Sequence, residues 1–265
     1  MSDSCSHSHS HNLRDYDCTV VSSEALSDRH VWTTYRCPEL AEKILPGHSV
    51  MVFPTTSVEP LLGRPFGVAD VDLEKGEFSV CYAVIGKGTD IMSKTIPGSR
   101  VRVRGTFGLA LPQRKGNIYL CGGGIGIAIF LLYRKRNPEF SKGLYLGIPG
   151  KGYEPFAAKI KSLVPDAKIF TDDGSFGDGD SMFKVLPHEL SENNEEIWAC
   201  GPAGFRDALE RHCPEDKDHL FFALENRMAC GYGGCMGCVI ETKSGMKRIC
   251  VDQSLFRADE VVKNG

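Results

Sequence analysis

Hydrophobic and polar positions change rhythm once along this chain. From Asp15 to about Pro112 the apolar residues come in short bursts, "DCTVVS", "HVWTTYRC", "SVMVF" and "EFSVCYAVIG", followed by the strictly alternating "RVRVRG". A period of two marks strands with one covered face, and the Pro-Gly pairs at 46–47 and 97–98 mark turns between them. Short strands at this spacing predict a small antiparallel β-barrel over residues 15–112. From Asn117 strands alternate with helices. "NIYLC" runs through glycines into "IAIFLLYRKR", and "LYLGI" leads to "EPFAAKIKSLV". Then come "AKIFTD", a short helical "DSMFKVLP", "EIWACG" with "FRDALERHC", and a last strand "HLFFAL". This order predicts an open parallel sheet wrapped by helices over residues 113–224.

Helix ends agree with that division. Arg134, Lys135 and Arg136 fall in a last turn, where cations oppose the helix dipole, and Asn137-Pro138 stops the helix. In the next helix Phe156, Ile160, Leu163 and Val164 make one stripe. Residues 225–265 carry no long helix and read as a small separate module. Residues 1–14 are polar. The alternating His7, His9 and His11 sit there without a carboxylate or cysteine framework, so this stretch reads as a disordered lead-in rather than a metal site.

Length and charge narrow the function classes. The chain has 265 residues, 42% of them hydrophobic, enough for two lobes and an appendage. A formal charge of -3 without charged blocks gives no reason to expect nucleic acid or an acidic membrane as partner. The longest apolar run, "GIGIAIFLLY" at 124–133, is far short of the ~30 Å of hydrocarbon a membrane span must cross. The start of the chain lacks the apolar core of a secretion signal. With eleven cysteines, an odd number, a reducing cytoplasm is expected.

Four of those cysteines are not scattered. Cys230, Cys235, Cys238 and Cys250 are spaced C-x4-C-x2-C-x11-C, and the plant-type 2Fe-2S spacing begins C-x4-C-x2-C. Two irons need four thiolates on a compact inorganic core. Gly231, Gly233, Gly234 and Gly237 give a backbone free to bring N–H groups close to it. "VIETKSGMKRI" predicts a hairpin turning at Ser244-Gly245 that returns Cys250 to the other three. A structural zinc site is the competing assignment, but zinc knuckles favour a second close pair of cysteines, which is missing here.

Two further segments have the form of nucleotide loops. Gly122, Gly123, Gly124, Ile125 and Gly126 lie between a strand and a helix, where a phosphate meets unpaired N–H groups. Without the full G-x-G-x-x-G, a plain packing turn stays open as the alternative. Cys200, Gly201 and Pro202 repeat strand-loop-helix at a later strand end, the edge at which doubly wound sheets bind ligands. In the barrel half, Arg64 in "GRPFG" supplies a cation. "YAVIGKGTDIM" supplies a glycine turn, Gly86 to Gly88, that opens a helix at Thr89 with its amides toward an anion. An ordinary turn and a solvated arginine are the plainer readings.

Taken together, these motifs resemble the ferredoxin reductase superfamily, and within it the electron-transfer subunits of NAD-dependent dihydroorotate dehydrogenases. The likeness covers nearly all of the chain from Asp15. It implies a mixed β and α/β fold: an antiparallel FAD-binding β-barrel, a doubly wound parallel-sheet NAD-binding domain and a small C-terminal 2Fe-2S module. It implies FAD at Arg64, Pro65, Phe66, Gly67, Tyr82, Ala83, Val84, Gly86, Gly88 and Thr89. NAD(H) is implied at Gly122 to Gly126 and Cys200 to Pro202, and the 2Fe-2S cluster at Cys230, Cys235, Cys238 and Cys250. The resemblance further implies an FMN-containing dihydroorotate dehydrogenase catalytic subunit as partner, in a heterotetramer of two plus two. One position departs from the pattern: members place serine or threonine at the position of Gly67 to hydrogen-bond the flavin ring, which leaves a backbone N–H to serve. A subunit of another NAD(P)H-linked complex, such as a ferredoxin:NADP oxidoreductase or a sulfide-linked hydrogenase, and a zinc-stapled nucleotide-binding module are the competing functions.

Overall fold

The computed structural model describes residues 13–55, 59–113 and 115–262. His7, His9 and His11 fall outside them. The first half closes into a six-stranded antiparallel barrel in the order β1-β2-β5-β4-β3-β6. Its strands are β1 (Arg14–Ala25), β2 (His30–Arg36), β3 (Ser49–Phe53), β4 (Arg64–Asp72), β5 (Glu77–Ala83) and β6 (Arg100–Phe107). Alternation along β3 gives the barrel two useful faces. Val50 and Val52 point into the barrel core with Val68, Val80 and Val103, whereas Met51 and Phe53 point out.

The second half is a six-stranded sheet in the order β14-β11-β10-β7-β8-β9. It contains β7 (Asn117–Gly123), β8 (Gly143–Ile148), β9 (Lys168–Thr171), β10 (Glu195–Cys200), β11 (Leu220–Phe222) and the edge pair β14 (Phe256–Arg257). Strands β7 to β11 are parallel and only β14 is antiparallel. The direction of winding reverses between β7 and β10, so the crevice outside their carboxyl ends is the place a ligand would enter.

The apolar run of the sequence leads into α3 (Ala128–Arg136), and its position explains why residues 128–133 are apolar all round. Leu132 enters the barrel core, while Phe130, Leu131 and Tyr133 enter the core of the sheet domain. Lys135 ties the same helix to β4 through Asp70 at 2.7 Å. Among the described residues no helix is long and apolar enough to cross a membrane.

Four local expectations need correction. Residues 180–187 form a single turn of 3-10 helix at Met182–Lys184, started by the Ser181 hydroxyl accepting from the Phe183 amide. The helix placed at Thr89 begins earlier, as α2 (Lys87–Ser93), because the Thr89 Oγ1 accepts from the Ile85 and Gly86 amides and so caps the turn before it. The C-terminal hairpin, β12 (Val239–Thr242) with β13 (Gly245–Arg248), pairs Thr242 with Gly245 and therefore turns at Lys243-Ser244. Arg134, read only as a cation at a helix end, is buried. Its guanidinium donates to the Ser141 carbonyl at 2.8 Å, and to Pro138 and Asp166 as well.

Candidate functional site

A cavity of about 590 Å³ lies where barrel, sheet and cysteine module meet. Strand register opens it. β4 pairs with β5 only from Val68 to Asp72, whereas β2 follows β5 as far as Ala83. The first residues of β4, Arg64 to Gly67, therefore splay from Cys81 to Ala83, and both segments line the gap.

Of the residues expected to hold a flavin, Arg64, Pro65, Phe66, Gly67, Tyr82, Ala83, Gly86, Gly88 and Thr89 all line this cavity, and Val84 does not. A Cβ built on Gly88 would strike the Arg64 guanidinium, so the arginine lies flat against the first turn of α2. That puts a cation beside backbone amides, the combination a phosphate takes. The Gly86 amide is not free for an anion, since it donates to Thr89 Oγ1 at 3.2 Å. Tyr82 packs on Phe66 with ring centroids 5.3 Å apart. Its hydroxyl is held by Thr33 at 3.2 Å, and burial raises its pKa.

From the sheet side Ile125, Gly126 and Cys200 reach the cavity. Gly122, Gly123, Gly124, Gly201 and Pro202 do not line it, and most of these glycines serve close packing. A Cβ on Gly201 would stand 3.1 Å from the Gly123 Cα, and one on Gly126 would stand 2.5 Å from the Cys200 carbonyl carbon. The two loops thus touch backbone to backbone. Burial first, and Glu225 second, push the Cys200 thiol far above its ordinary range, which keeps it an unreactive thiol at neutral pH.

The third wall belongs to the cysteine module. Met228, Ile249 and Ser254 line the cavity, and the Gly108 amide donates to the Cys250 carbonyl at 2.9 Å. Cys238 and Cys250 pack with Met51, Phe53 and Phe107 on the outer face of the barrel. Their sulfurs are 3.3 Å apart. Cys230 pairs instead with Cys235, whose amide donates to the Cys230 sulfur at 3.4 Å, as the Gly237 amide does to the Cys235 sulfur. Among the described residues no three metal-ligating side chains converge on one point. Four thiols in two pairs suit a core of two irons with two thiolates each. One tetrahedral ion would need all four together.

Electrostatics separate Cys230 from Cys250. Burial works against ionisation of Cys230, but amides of Tyr232, Cys235 and Gly234 prevail and bring the thiol down to about 7. Cys250 is pushed up to about 12 by burial and by its neighbour Cys238. Arg248 braces the loop, donating to Asp252 through two nitrogens at 2.8 Å and to the Gly233 carbonyl at 2.9 Å. Sequence spacing had no signal for Ala223 to Asn226, Met228, Ile249 or Ser254 as cavity residues, because tertiary packing alone brings them there. Glu225 is the charged member of that group; burial raises its pKa and Arg206 opposes the rise.

Residues 225–262 match the family model described as the iron-sulfur cluster binding domain of dihydroorotate dehydrogenase B. The dihydroorotate dehydrogenase B (NAD(+)) electron transfer subunit homolog of Aquifex aeolicus is 31% identical over 256 residues, covering 94% of this chain and 99% of the relative. This chain belongs to the family of dihydroorotate dehydrogenase B electron transfer subunits. The member from Geobacillus kaustophilus is likewise 31% identical, over 92% of this chain and 97% of its own. Among solved structures, the NADH-dependent reduced ferredoxin-NADP oxidoreductase matches with a TM-score of 0.78 at 23% identity. It covers 92% of this chain and 89% of that one. Phthalate dioxygenase reductase matches at 0.61 and 16%, covering 92% and 95%. At these identities the likeness shows that the electron transfer subunit has a ferredoxin reductase-like fold.

Proposed function

We propose that this chain carries electrons between NAD(H), an FAD in the central cavity and a 2Fe-2S cluster on Cys230, Cys235, Cys238 and Cys250, to or from a separate catalytic chain. The observation that carries the reading is the shared cavity. Cys200 and Gly126 form its sheet wall, Arg64 to Gly67 and Tyr82 its barrel wall, and Met228 and Ile249 its wall beside Cys250. A group bound there touches a nucleotide loop on one side and the cysteine module on the other. Its volume suits a cofactor-sized ligand, and an apolar wall with few polar groups suits a flat ring.

When bound, flavin exchanges hydride with nicotinamide and single electrons with an iron-sulfur centre, which takes one at a time. The protein's part is placement. Arg64 and the first amides of α2 fix an anion at one end of the cavity. The abutting loops at Gly126 and Cys200 fix the nicotinamide side against the same space. Amides of Tyr232, Cys235 and Gly234 favour thiolate at Cys230, as metal binding requires.

The central cavity is taken up by the cofactor reading, so we assign pyrimidine oxidation to the partner. The proposed partner is an FMN-containing dihydroorotate dehydrogenase catalytic chain, in a two-plus-two heterotetramer. The relatives' names as electron transfer subunits support a partner of this kind. A cytoplasmic location accords with the ten free cysteines of the described residues. The isolated chain is expected to reduce artificial acceptors with NADH and to leave dihydroorotate untouched. Robust dihydroorotate turnover by the chain alone refutes the division of labour, and a colourless protein containing zinc refutes the cofactor assignment.

A further inference from the structure

The cavity carries few side-chain hydroxyls, and two of them are already committed. The Tyr82 hydroxyl is bound to Thr33. The Thr89 Oγ1 accepts from the Ile85 and Gly86 amides and donates to the Gly86 carbonyl. Ser49 and Ser254 also line the cavity, and neither side chain has a hydrogen-bond partner among the described residues. Ser254 lies on a loop and opens onto a second, smaller cavity as well. Ser49 stands on β3, fixed by strands on both sides: it pairs with Gly67 of β4 and with Phe107 of β6.

Register gives Ser49 its meaning. Residues directly opposite in an antiparallel pair present their side chains on the same face. Gly67 has no side chain, and a Cβ built there would meet only Ile129, at 3.8 Å, so the surface beside it is open and flat. Alternation along β3 puts Ser49 on the same outward face as Met51, the residue that packs against Cys238 and Cys250. An uncommitted hydroxyl therefore stands beside a bare stretch of backbone, on the barrel face between α3 and the cysteine module. A half-buried hydroxyl in a cavity is costly to leave unsatisfied when a ligand fills the space.

We propose that Ser49 is a positioning and tuning residue for the bound flavin, its hydroxyl donating a hydrogen bond to a heteroatom of the ring lying against Gly67. This inference rests on the flavin reading of the cavity. A donor to a ring heteroatom favours the more electron-rich reduced ring, so Ser49 holds the flavin's two-electron midpoint up. The space beside Gly67 also admits a side chain, which means a hydroxyl introduced there can replace the one at Ser49.

The test is an anaerobic redox titration of flavin in the full chain for wild type, Ser49→Ala, Ser49→Thr and the double variant Ser49→Ala/Gly67→Ser. Loss of one such bond is expected to shift the oxidised-to-reduced equilibrium roughly tenfold toward the oxidised ring, a midpoint about 30 mV more negative for Ser49→Ala. Ser49→Thr keeps the hydroxyl and leaves the midpoint in place, and the double variant recovers most of the loss. A Ser49→Ala protein that binds flavin fully with an unchanged midpoint overturns the proposal, as does a double variant that stays at the Ser49→Ala value. A wild-type chain that takes up no flavin when FAD is supplied overturns the cofactor reading itself, an outcome distinct from either of these.

Discussion

Gly126→Ala is the sharpest single perturbation of the site. The added methyl would stand 2.5 Å from the Cys200 carbonyl carbon and 2.9 Å from the Gly201 nitrogen, all backbone that no side-chain rotation can move. Ordinary carbon contacts are about 3.5 Å or longer, so the two loops must part by roughly 1 Å. Overpacking of this kind costs about 1–3 kcal/mol of stability. The larger effect is on placement: an error of roughly 1 Å in a reacting geometry costs about a hundredfold in rate. The assay is anaerobic stopped-flow reduction of bound flavin by NADH, with flavin content measured on the same samples. Reduction by Gly126→Ala within about threefold of wild type, at full flavin content, refutes the claim that these abutting loops set the nicotinamide position.

Cys250→Ser should abolish the iron-sulfur absorbance and acid-labile sulfide while NADH oxidation with an artificial acceptor persists, because the flavin walls from Arg64 to Thr89 are untouched; coupled activity with the catalytic chain should disappear. Arg248→Ala removes a two-pronged bond to Asp252 and the tie to Gly233, and should speed cluster loss to a chelator severalfold, read from visible bleaching. His30, packed between Tyr153 and Phe156 and bonded to Ser27, has its pKa lowered by burial and then by Arg29. Its folded state resists the proton that the unfolded chain accepts near 6.5, so its contribution to stability is full above that pH and shrinks below it. Thermal midpoints at pH 7.5 and 5.5 should therefore fall less in His30→Gln than in wild type; an equal fall rejects the assignment.

What the sequence disclosed was whatever is written in local spacing. Alternation announced the barrel strands, and "IAIFLLYRKR" announced a helix. The C-x4-C-x2-C-x11-C spacing set Cys230, Cys235, Cys238 and Cys250 apart from the scattered cysteines, and the fold gathers them in two pairs within one module. The remainder depends on register and packing. Ser49 reaches the cavity because it pairs with Gly67, a fact no window of the sequence contains. Met228 and Ile249 line it because the cysteine module seats on Phe107 and Gly108. β14 is two residues long and exists only because the edge of β11 needs covering. Residues 180–187 misled in the opposite direction: Ser181 starts a turn, and Pro187 together with a glycine-rich approach prevents its extension.

The central claim is that electrons from a nicotinamide reach the cysteine module through the shared cavity. The direct measurement is electron paramagnetic resonance of the anaerobic, flavin-replete chain after addition of NADH alone. The account predicts the signal of a reduced 2Fe-2S centre in wild type and its loss when flavin is removed, with recovery when FAD is restored. A cluster that stays oxidised under NADH yet is reduced by dithionite, in a protein whose flavin has been bleached, would contradict it.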